Sequence, residues 1–421
     1  QGGAEKIAFL TAKSLAARGH EILLVAVERV DYPGPSQVYW EEEIFNGIRT
    51  RRLFYDGKNT FAPSEKEFDN PHTRLAIEDA IRSFNPQIFY LIGGYLLSGS
   101  VLEAAHEHNL PIILKITDLW FCCPRITMLR TDGTISTLPI RAQRCARCLG
   151  EEKRRFRIPA KIAPWLMDIY WGMQKEVIDI FVKRERFLKK VLKYPEVIIS
   201  ESRFLREMYI DYGVDPSKII HSRQGKDFSY LSADDIQKTT SHQLRLAYFG
   251  QIANHKGVHI LIKAVKQIKN ENLALRIYGD ETAFPKYVKK IKNLAADDPR
   301  ITFCQPYRSL QEQTRLLKDI DLMVVPSIWY ENSPNVVLEA QGHHTPILAS
   351  DFAGLREMVN HGENGLLFNM GDADDLADKI MTLLENPNLL EHLKSNSGNS
   401  IRPIDDEMDE LESIFMRYAN K

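Results

Sequence analysis

The sequence predicts an α/β chain made of two doubly wound parallel sheets, one following the other. Three observations carry that expectation. Apolar runs of strand length alternate with longer amphipathic stretches of helix length along most of the 421 residues. The runs fall into two series, separated by the polar stretch 224–243, which is punctuated by Lys and Asp. The length also exceeds what one core usually serves, so two or three domains are expected.

The first series of strands is read at 21–27, 87–92, 111–117 and 197–200. Ahead of it stand Gly2 and Gly3, followed by a helical pattern to Arg18 with Gly19 as its stop; a glycine loop opening a helix turns backbone amides toward an anion. The first strand of a doubly wound sheet is central. No such run precedes Gly2 and there is no initiating Met, so the sequence reads as a trimmed version of a longer chain, one that would expose the edges of that strand's two neighbours.

The second series lies at 244–250, 273–279, 321–327 and 345–350. It opens with LRLAYFGQIANHKGVHILIKAV, which reads as a strand, a loop holding Gly250, Gln251, Lys256 and Gly257, then a helix. A lysine in such a loop can reach a diphosphate, and the glycines let the backbone come close to it. The run 321–327 (DLMVVPS) is apolar through its middle, as suits a parallel strand covered on both faces.

After that strand, Glu331 and Glu339 flank a helix start in the run 330–340 (YENSPNVVLEA). Ser333 reads as the N-cap and Pro334 as the first helical residue, leaving the amides of Asn335, Val336 and Val337 free. Such amides and the helix dipole favour a nearby negative charge by roughly 0.3–2 kcal/mol. Glu339, about a turn further in, is placed to accept from two ribose hydroxyls, and Glu331 lies where a sugar would extend. The competing reading makes both glutamates ordinary surface residues beside a capped helix. Recognition of a base is expected mainly from backbone groups around Gly279 and Pro306.

An apolar content of 44% with 26% charged residues is that of a soluble globular protein, and a net charge of −1 argues against general nucleic-acid binding. No run reaches the ~20 apolar residues of a membrane span and no signal peptide is visible, so a cytoplasmic location is expected. The charge is uneven. Residues 151–193 hold 12 Lys and Arg against 6 Asp and Glu, along with Trp165, Tyr170, Trp171, Phe181 and Phe187. That segment reads either as a solvated helical face or as a surface for an anionic membrane, at its inner face, or a lipid-linked acceptor. Cys123, Cys145 and Cys148 follow the pattern C-x21-C-x2-C, with Cys122 as a substitute. Unligated thiols, a structural zinc lacking a nameable fourth ligand, and a disulfide all remain open, and no metal is assigned to the site.

The run 330–340, together with Gly342, Pro346, Ala349, Ser350, Asp351, Gly354, Glu357 and 362–368 (GENGLLF), resembles the glutamate-pair signature of the retaining glycosyltransferases of family 4. The similarity extends from Gln1 to the region of Pro387. It implies the GT-B fold: two Rossmann-like domains facing across a cleft, with residues 1–223 binding the acceptor and 224–400 the nucleotide sugar. Residues 120–195 would be a Cys-containing, basic helical insertion, and 401–421 a helix packing back toward the first domain.

The implied reaction moves a sugar, with retention, from a UDP-sugar or GDP-sugar to a hydroxyl of a glycan or lipid-linked acceptor, without a cofactor or metal, since no Asp-x-Asp stands near the diphosphate site. On this resemblance Lys256, Glu331 and Asp118 would be catalytic. Gly2, Gly3, Gly250, Gln251, Lys256, Gly279, Asn335, Val336 and Glu339 would bind the donor. The chain departs from the family at two positions. Gln251 stands where an arginine is expected, so Lys256 acts alone or with another cation, such as Arg223 or Arg308. Thr117 stands where a histidine is expected, and a hydroxyl carries no proton near neutral pH. The alternatives are a nucleotide-sugar binder without turnover and an epimerase or phosphorylase of the same architecture.

Overall fold

The computed structural model describes residues 3–30, 38–56 and 61–419. They form two compact units, one of Gln1–Ser222 with Met408–Lys421, the other of Arg223–Glu407.

The first unit contains two sheets. Strands β1 (Leu24–Val30), β2 (Val38–Phe45) and β3 (Ile48–Asp56) pair in the order β1-β3-β2. Strands β4 (Phe89–Ile92), β5 (Ile112–Ile116), β6 (Val197–Ser200) and β7 (Ile219–His221) form a parallel sheet in chain order. The antiparallel β2–β3 hairpin departs from the all-parallel expectation. It turns at Asn46-Gly47, both in the left-handed region (φ 47° and 85°), which is the geometry a two-residue hairpin loop needs. Charge supports it where apolar alternation does not. Glu42 bonds Arg51 at 2.5 Å and Arg49 at 3.0 Å, and Glu43 bonds Arg52 at 2.6 Å across the strands.

Between β5 and β6 run four helices, Ala142–Gly150, Arg154–Ile162, Pro164–Gly172 and Lys175–Val191, around a small core of Ala146, Met167, Trp171 and Phe181. This segment is fastened to the rest of the unit by a buried ion pair. Arg184 Nε donates to Glu67 Oε2 at 2.7 Å, and both side chains are almost fully enclosed. The helix Gly3–Ala17 ends at Gly19, whose φ of 94° stops it. Arg18 and His20 there bond Glu412 of the helix Ile404–Ala419 at 2.8 and 2.7 Å.

The second unit is one six-stranded parallel sheet: β8 (Leu244–Phe249), β9 (Leu273–Tyr278), β10 (Ile301–Cys304), β11 (Leu322–Val325), β12 (Ile347–Ser350) and β13 (Gly365–Phe368). Their spatial order is β10-β9-β8-β11-β12-β13. The chain therefore winds outward from β8 in one direction and from β11 in the other, and the reversal between β8 and β11 is where such sheets bind ligands at their carboxyl ends. Both faces are covered. Leu246 and Tyr248 pack under the helices Val258–Gln267 and Ala373–Glu385, while Ala247 and Phe249 pack with Val337 and Ala340 of Asn335–Gly342. A strand buried on both sides is predominantly apolar, and β8 and β11 are buried throughout, Arg245 of β8 being paired with Asp321.

Candidate functional site

In the second unit the residues singled out from the sequence converge at the reversal. Beyond β8 the chain passes Gly250 and Gln251 to a 3-10 turn at Asn254–Lys256. Gly257 follows with φ +69°, and a Cβ there would lie 1.7 Å from the carbonyl oxygen of Pro326. Only glycine lets this loop press against the segment leaving β11, and Ile328 N–H donates to the His255 carbonyl (2.9 Å) to seal the contact.

That approach delivers Lys256 to Glu331. Lys256 Nζ lies 2.7 Å from Glu331 Oε1 and 4.6 Å from the centre of the Trp329 ring. The same oxygen accepts from Ser327 Oγ and Trp329 Nε1, each at 2.7 Å. Burial works to raise the Glu331 carboxyl, but the Lys256 ammonium and these donors overcome it and hold it below the usual carboxylate range. Among the described residues no hydrogen bond reaches Oε2. Glu331 is thus anchored through one oxygen only.

Glu339 sits on the fifth residue of the helix Asn335–Gly342 and is buried. Its Oε2 accepts from Tyr307 Oη (3.1 Å) and Gln313 Nε2 (2.6 Å), so one carboxylate oxygen is already held by the protein. Burial and then the Glu339 charge push the Tyr307 phenol up, which keeps it a donor.

The helix start differs from the sequence expectation. Pro334, with extended ψ of 122°, occupies the N-cap, and Asn335 is the first helical residue; Ser333 does not cap it. The cause is tertiary. Gly354 N–H donates to the Glu331 carbonyl at 2.9 Å, and a Cβ at Gly354 would lie 1.8 Å from the Asn332 carbonyl oxygen, so the segment before the helix is pressed flat against the loop after β12. The Val337 amide donates to the Pro334 carbonyl (3.0 Å) and is not available, which leaves the amides of Asn335 and Val336.

A further cation reaches this helix mouth. Lys226 Nζ donates to Asn335 Oδ1, which also accepts from Gln224 Nε2 at 3.1 Å. Both Lys226 and Gln224 are buried. Sequence reading missed Lys226 because it stands 109 positions before Asn335 in a polar stretch. Arg223 instead donates to the Ser400 carbonyl at 3.3 Å, and Arg308 is fixed through its backbone N–H to Glu312 (2.7 Å). The Gln251 side chain is exposed and makes no hydrogen bond among the described residues; its carbonyl accepts from Tyr248 Oη at 2.7 Å. Gly279 follows β9 as Gly250 follows β8, the last residues of the two strands, Tyr278 and Phe249, being paired.

In the first unit, Gly3 begins its helix, and Gly2 lies outside the described residues. Asp118 Oδ1 accepts from the Trp120 N–H (2.8 Å), Thr117 Oγ1 lies 3.5 Å from Oδ2, and the Asp118 carbonyl accepts from Tyr209 Oη (2.9 Å). Burial raises this carboxyl. Asp118 therefore caps the turn after β5. All five cysteines are free thiols, and no group of three or more His, Cys, Asp or Glu among the described residues is arranged to hold a metal. Burial, then the neighbouring Cys123, pushes Cys145 up to about 12.

Residues 243–386 match the family model of the glycosyl transferases group 1. Among curated relatives, a D-inositol 3-phosphate glycosyltransferase of Corynebacterium efficiens is 30% identical over 197 residues, 43% of this chain and 46% of the relative. The putative colanic acid biosynthesis glycosyltransferase WcaL of Salmonella typhimurium is 26% identical over 40% of this chain and 42% of its own length. This chain thus spans about half the length of the curated relatives it matches.

Two solved structures align over nearly the whole fold. Sucrose-phosphate synthase from Thermosynechococcus elongatus has TM-score 0.70 and 19% identity, covering 99% of this chain and 93% of its own. HepE of Anabaena, in complex with UDP and glucose, has TM-score 0.66 and 16% identity, covering 99% and 96%. The chain has the GT-B fold, and its residues 243–386 are similar to the group 1 glycosyltransferases.

Proposed function

We propose that this chain is a retaining glycosyltransferase that moves a sugar from a nucleotide diphosphate sugar to a hydroxyl of a glycan or lipid-linked acceptor. The observation that carries the reading is Glu331, fixed through Oε1 by Lys256, Ser327 and Trp329 at the point where the sheet reverses, with Oε2 open to a sugar hydroxyl. Glu339 would hold the ribose. The Asn335 and Val336 amides, Lys256 and Lys226 would meet the diphosphate. UDP is the favoured nucleotide, because HepE, with the same fold, is described in complex with UDP and with UDP-glucose.

In such a reaction the sugar–phosphate bond breaks and its electron pair leaves with the nucleoside diphosphate. The acceptor hydroxyl attacks from the same face and its proton passes to the departing phosphate oxygen. No protein nucleophile is needed. The protein supplies orientation and stabilisation of the growing negative charge. Asp118 is assigned to orient the acceptor.

The neutral residues Gln251 and Thr117 favour a second reading, a nucleotide-sugar binder without turnover. Incubation of the protein with UDP-glucose and excess EDTA separates the two. Release of UDP, with the anomeric configuration kept in any glycosyl product, supports the transferase. Binding without release favours the binder, and activity that returns only with manganese removes the metal-independent assignment.

A further inference from the structure

The helices Arg154–Ile162 and Pro164–Gly172 bury one side each. Phe156 and Ala160 of the first, and Met167, Tyr170 and Trp171 of the second, pack around Ala146 and Phe181. Their other side is also apolar. Ile158 is 68% exposed, Ile162 79%, Trp165 63%, Leu166 47%, Ile169 55% and Met173 65%. These are six of the 17 exposed large hydrophobic residues among the described residues, gathered within 16 positions, so they form a patch and not the ordinary scatter of single apolar residues. Ile158 and Ile162, and Trp165, Ile169 and Met173, follow one another at intervals of four, which keeps each set on one side of its helix.

Charge decides what this patch fits. The only acidic residue of Pro164–Gly172, Asp168, is bound by Arg147 at 2.6 Å. Arg154, Arg155, Arg157 and Lys161 are exposed, and none forms an ion pair among the described residues. Arg155 lies over the Phe156 ring at 4.8 Å, and Arg157 donates to the Glu152 carbonyl at 3.1 Å, contacts that leave both charges in place. Three lysines of Lys175–Val191 differ. Lys183, Lys189 and Lys190 bond Glu65, Glu185 and Glu103 at 2.7, 2.8 and 2.6 Å. Of the eight Lys and Arg of residues 151–193 that form no ion pair among the described residues, four therefore stand on the same two helices as the apolar patch.

We infer that the outward side of these two helices docks on an anionic lipid bilayer. Apolar side chains with an interfacial tryptophan, bordered by Arg and Lys, enter the boundary between headgroup and acyl chain, and the cations meet lipid phosphates. A second copy is the poorer occupant, because a twofold contact would set the same four cations against themselves. Docking there would hold the first unit where a lipid-carried acceptor lies.

The test is co-sedimentation of the whole chain with vesicles of phosphatidylcholine, with and without one third phosphatidylglycerol. The expected result is binding to the anionic vesicles that weakens with salt. Both W165S/I169S and R154E/R155E/R157E/K161E should lower it by roughly tenfold or more while leaving the thermal melt and UDP-glucose hydrolysis unchanged, since the substituted side chains are exposed. Absence of vesicle binding, or binding that both variants retain, overturns the proposal. A dimer in sedimentation velocity that the same variants abolish overturns it too, by assigning the patch to self-association.

Discussion

Replacing Lys256 by Met removes the one charge that pays for the burial of Glu331. The Glu331 side chain is 7% exposed and that of Lys256 21%, with 2.7 Å between the charged atoms. Breaking a fully buried pair costs about 3–5 kcal/mol. Lys256 is partly solvated, and Ser327 and Trp329 still donate to Glu331, so about 2 kcal/mol is expected at pH 8.

The loss should depend on pH. In the wild type the Glu331 carboxyl is held below its ordinary value, so its contribution is complete above the unfolded value near 4.3 and disappears only as pH falls through the lower folded value. Stability of the wild type at this site is then flat between pH 8 and 5. In K256M burial acts without the ammonium and raises the carboxyl, so a penalty is present at pH 8 and shrinks as pH falls toward the unfolded value. A rise of one to two units is worth about 1.4–2.7 kcal/mol in full, of which roughly 0.5–1.7 kcal/mol is recovered between pH 8 and pH 5. The assay is denaturant unfolding of wild type, K256M, E331Q and the double variant at pH 8 and pH 5. A gap equal at both pH values, or a coupling energy under about 0.5 kcal/mol, refutes the reasoning. Turnover of K256M should fall by roughly 10²–10³, as for loss of one charge-stabilising donor.

Two further outcomes follow from pairs seen in the second unit. Lys226→Met removes a cation from the mouth of Asn335–Gly342, and UDP should bind roughly 10–100-fold more weakly by calorimetry, with K226R weakened less; unchanged affinity would exclude Lys226 from the diphosphate site. Asp321 receives Arg245 in two bonds of 2.8 and 3.0 Å and Lys394 at 3.1 Å, so D321N should cost about 3–5 kcal/mol in denaturant at pH 7. Burial raises the Asp321 carboxyl, but Arg245 and Lys394 hold it low, so this difference should persist to about pH 4 and close below it; a gap that closes already near pH 6 would contradict the assignment.

What could be read from the sequence follows from where each force acts. β6, β8, β11 and β12 are legible because a parallel strand covered on both faces is a mostly apolar run, and local sequence shows it. The hairpin of β2 and β3 is not apolar; VYWEEEIF and IRTRRLFYD are held by cross-strand Glu–Arg bonds, and the usable signal was Asn46-Gly47. Lys256 and Glu331 could be named because each sits in a local motif. Their contact depends on Gly257 meeting Pro326, which spacing alone does not disclose. The cap moved from Ser333 to Pro334 because the loop after β12 holds the preceding segment extended, a tertiary effect that overrides residue preference. Lys226 carries no local mark at all.

The buried pair of the first unit links the basic helices to the acceptor-side loop. Arg184 belongs to Lys175–Val191, which packs with the inserted core through Phe181. Its guanidinium donates to Glu67 and, through Nη2, to the Trp120 carbonyl at 2.5 Å, while Trp120 Nε1 donates to the same glutamate at 2.5 Å. Trp120 N–H in turn holds Asp118 Oδ1. Arg184, enclosed on all sides and bonded to Glu67, the Trp120 carbonyl and, through Nη1 at 3.4 Å, the Phe121 carbonyl, cannot yield to one without disturbing the others. The orientation of Asp118 is therefore set by the inserted helices and not by β5 alone. A surface that docks on Arg154–Ile162 and Pro164–Gly172 would act on the same packed assembly that fixes the residue assigned to the acceptor.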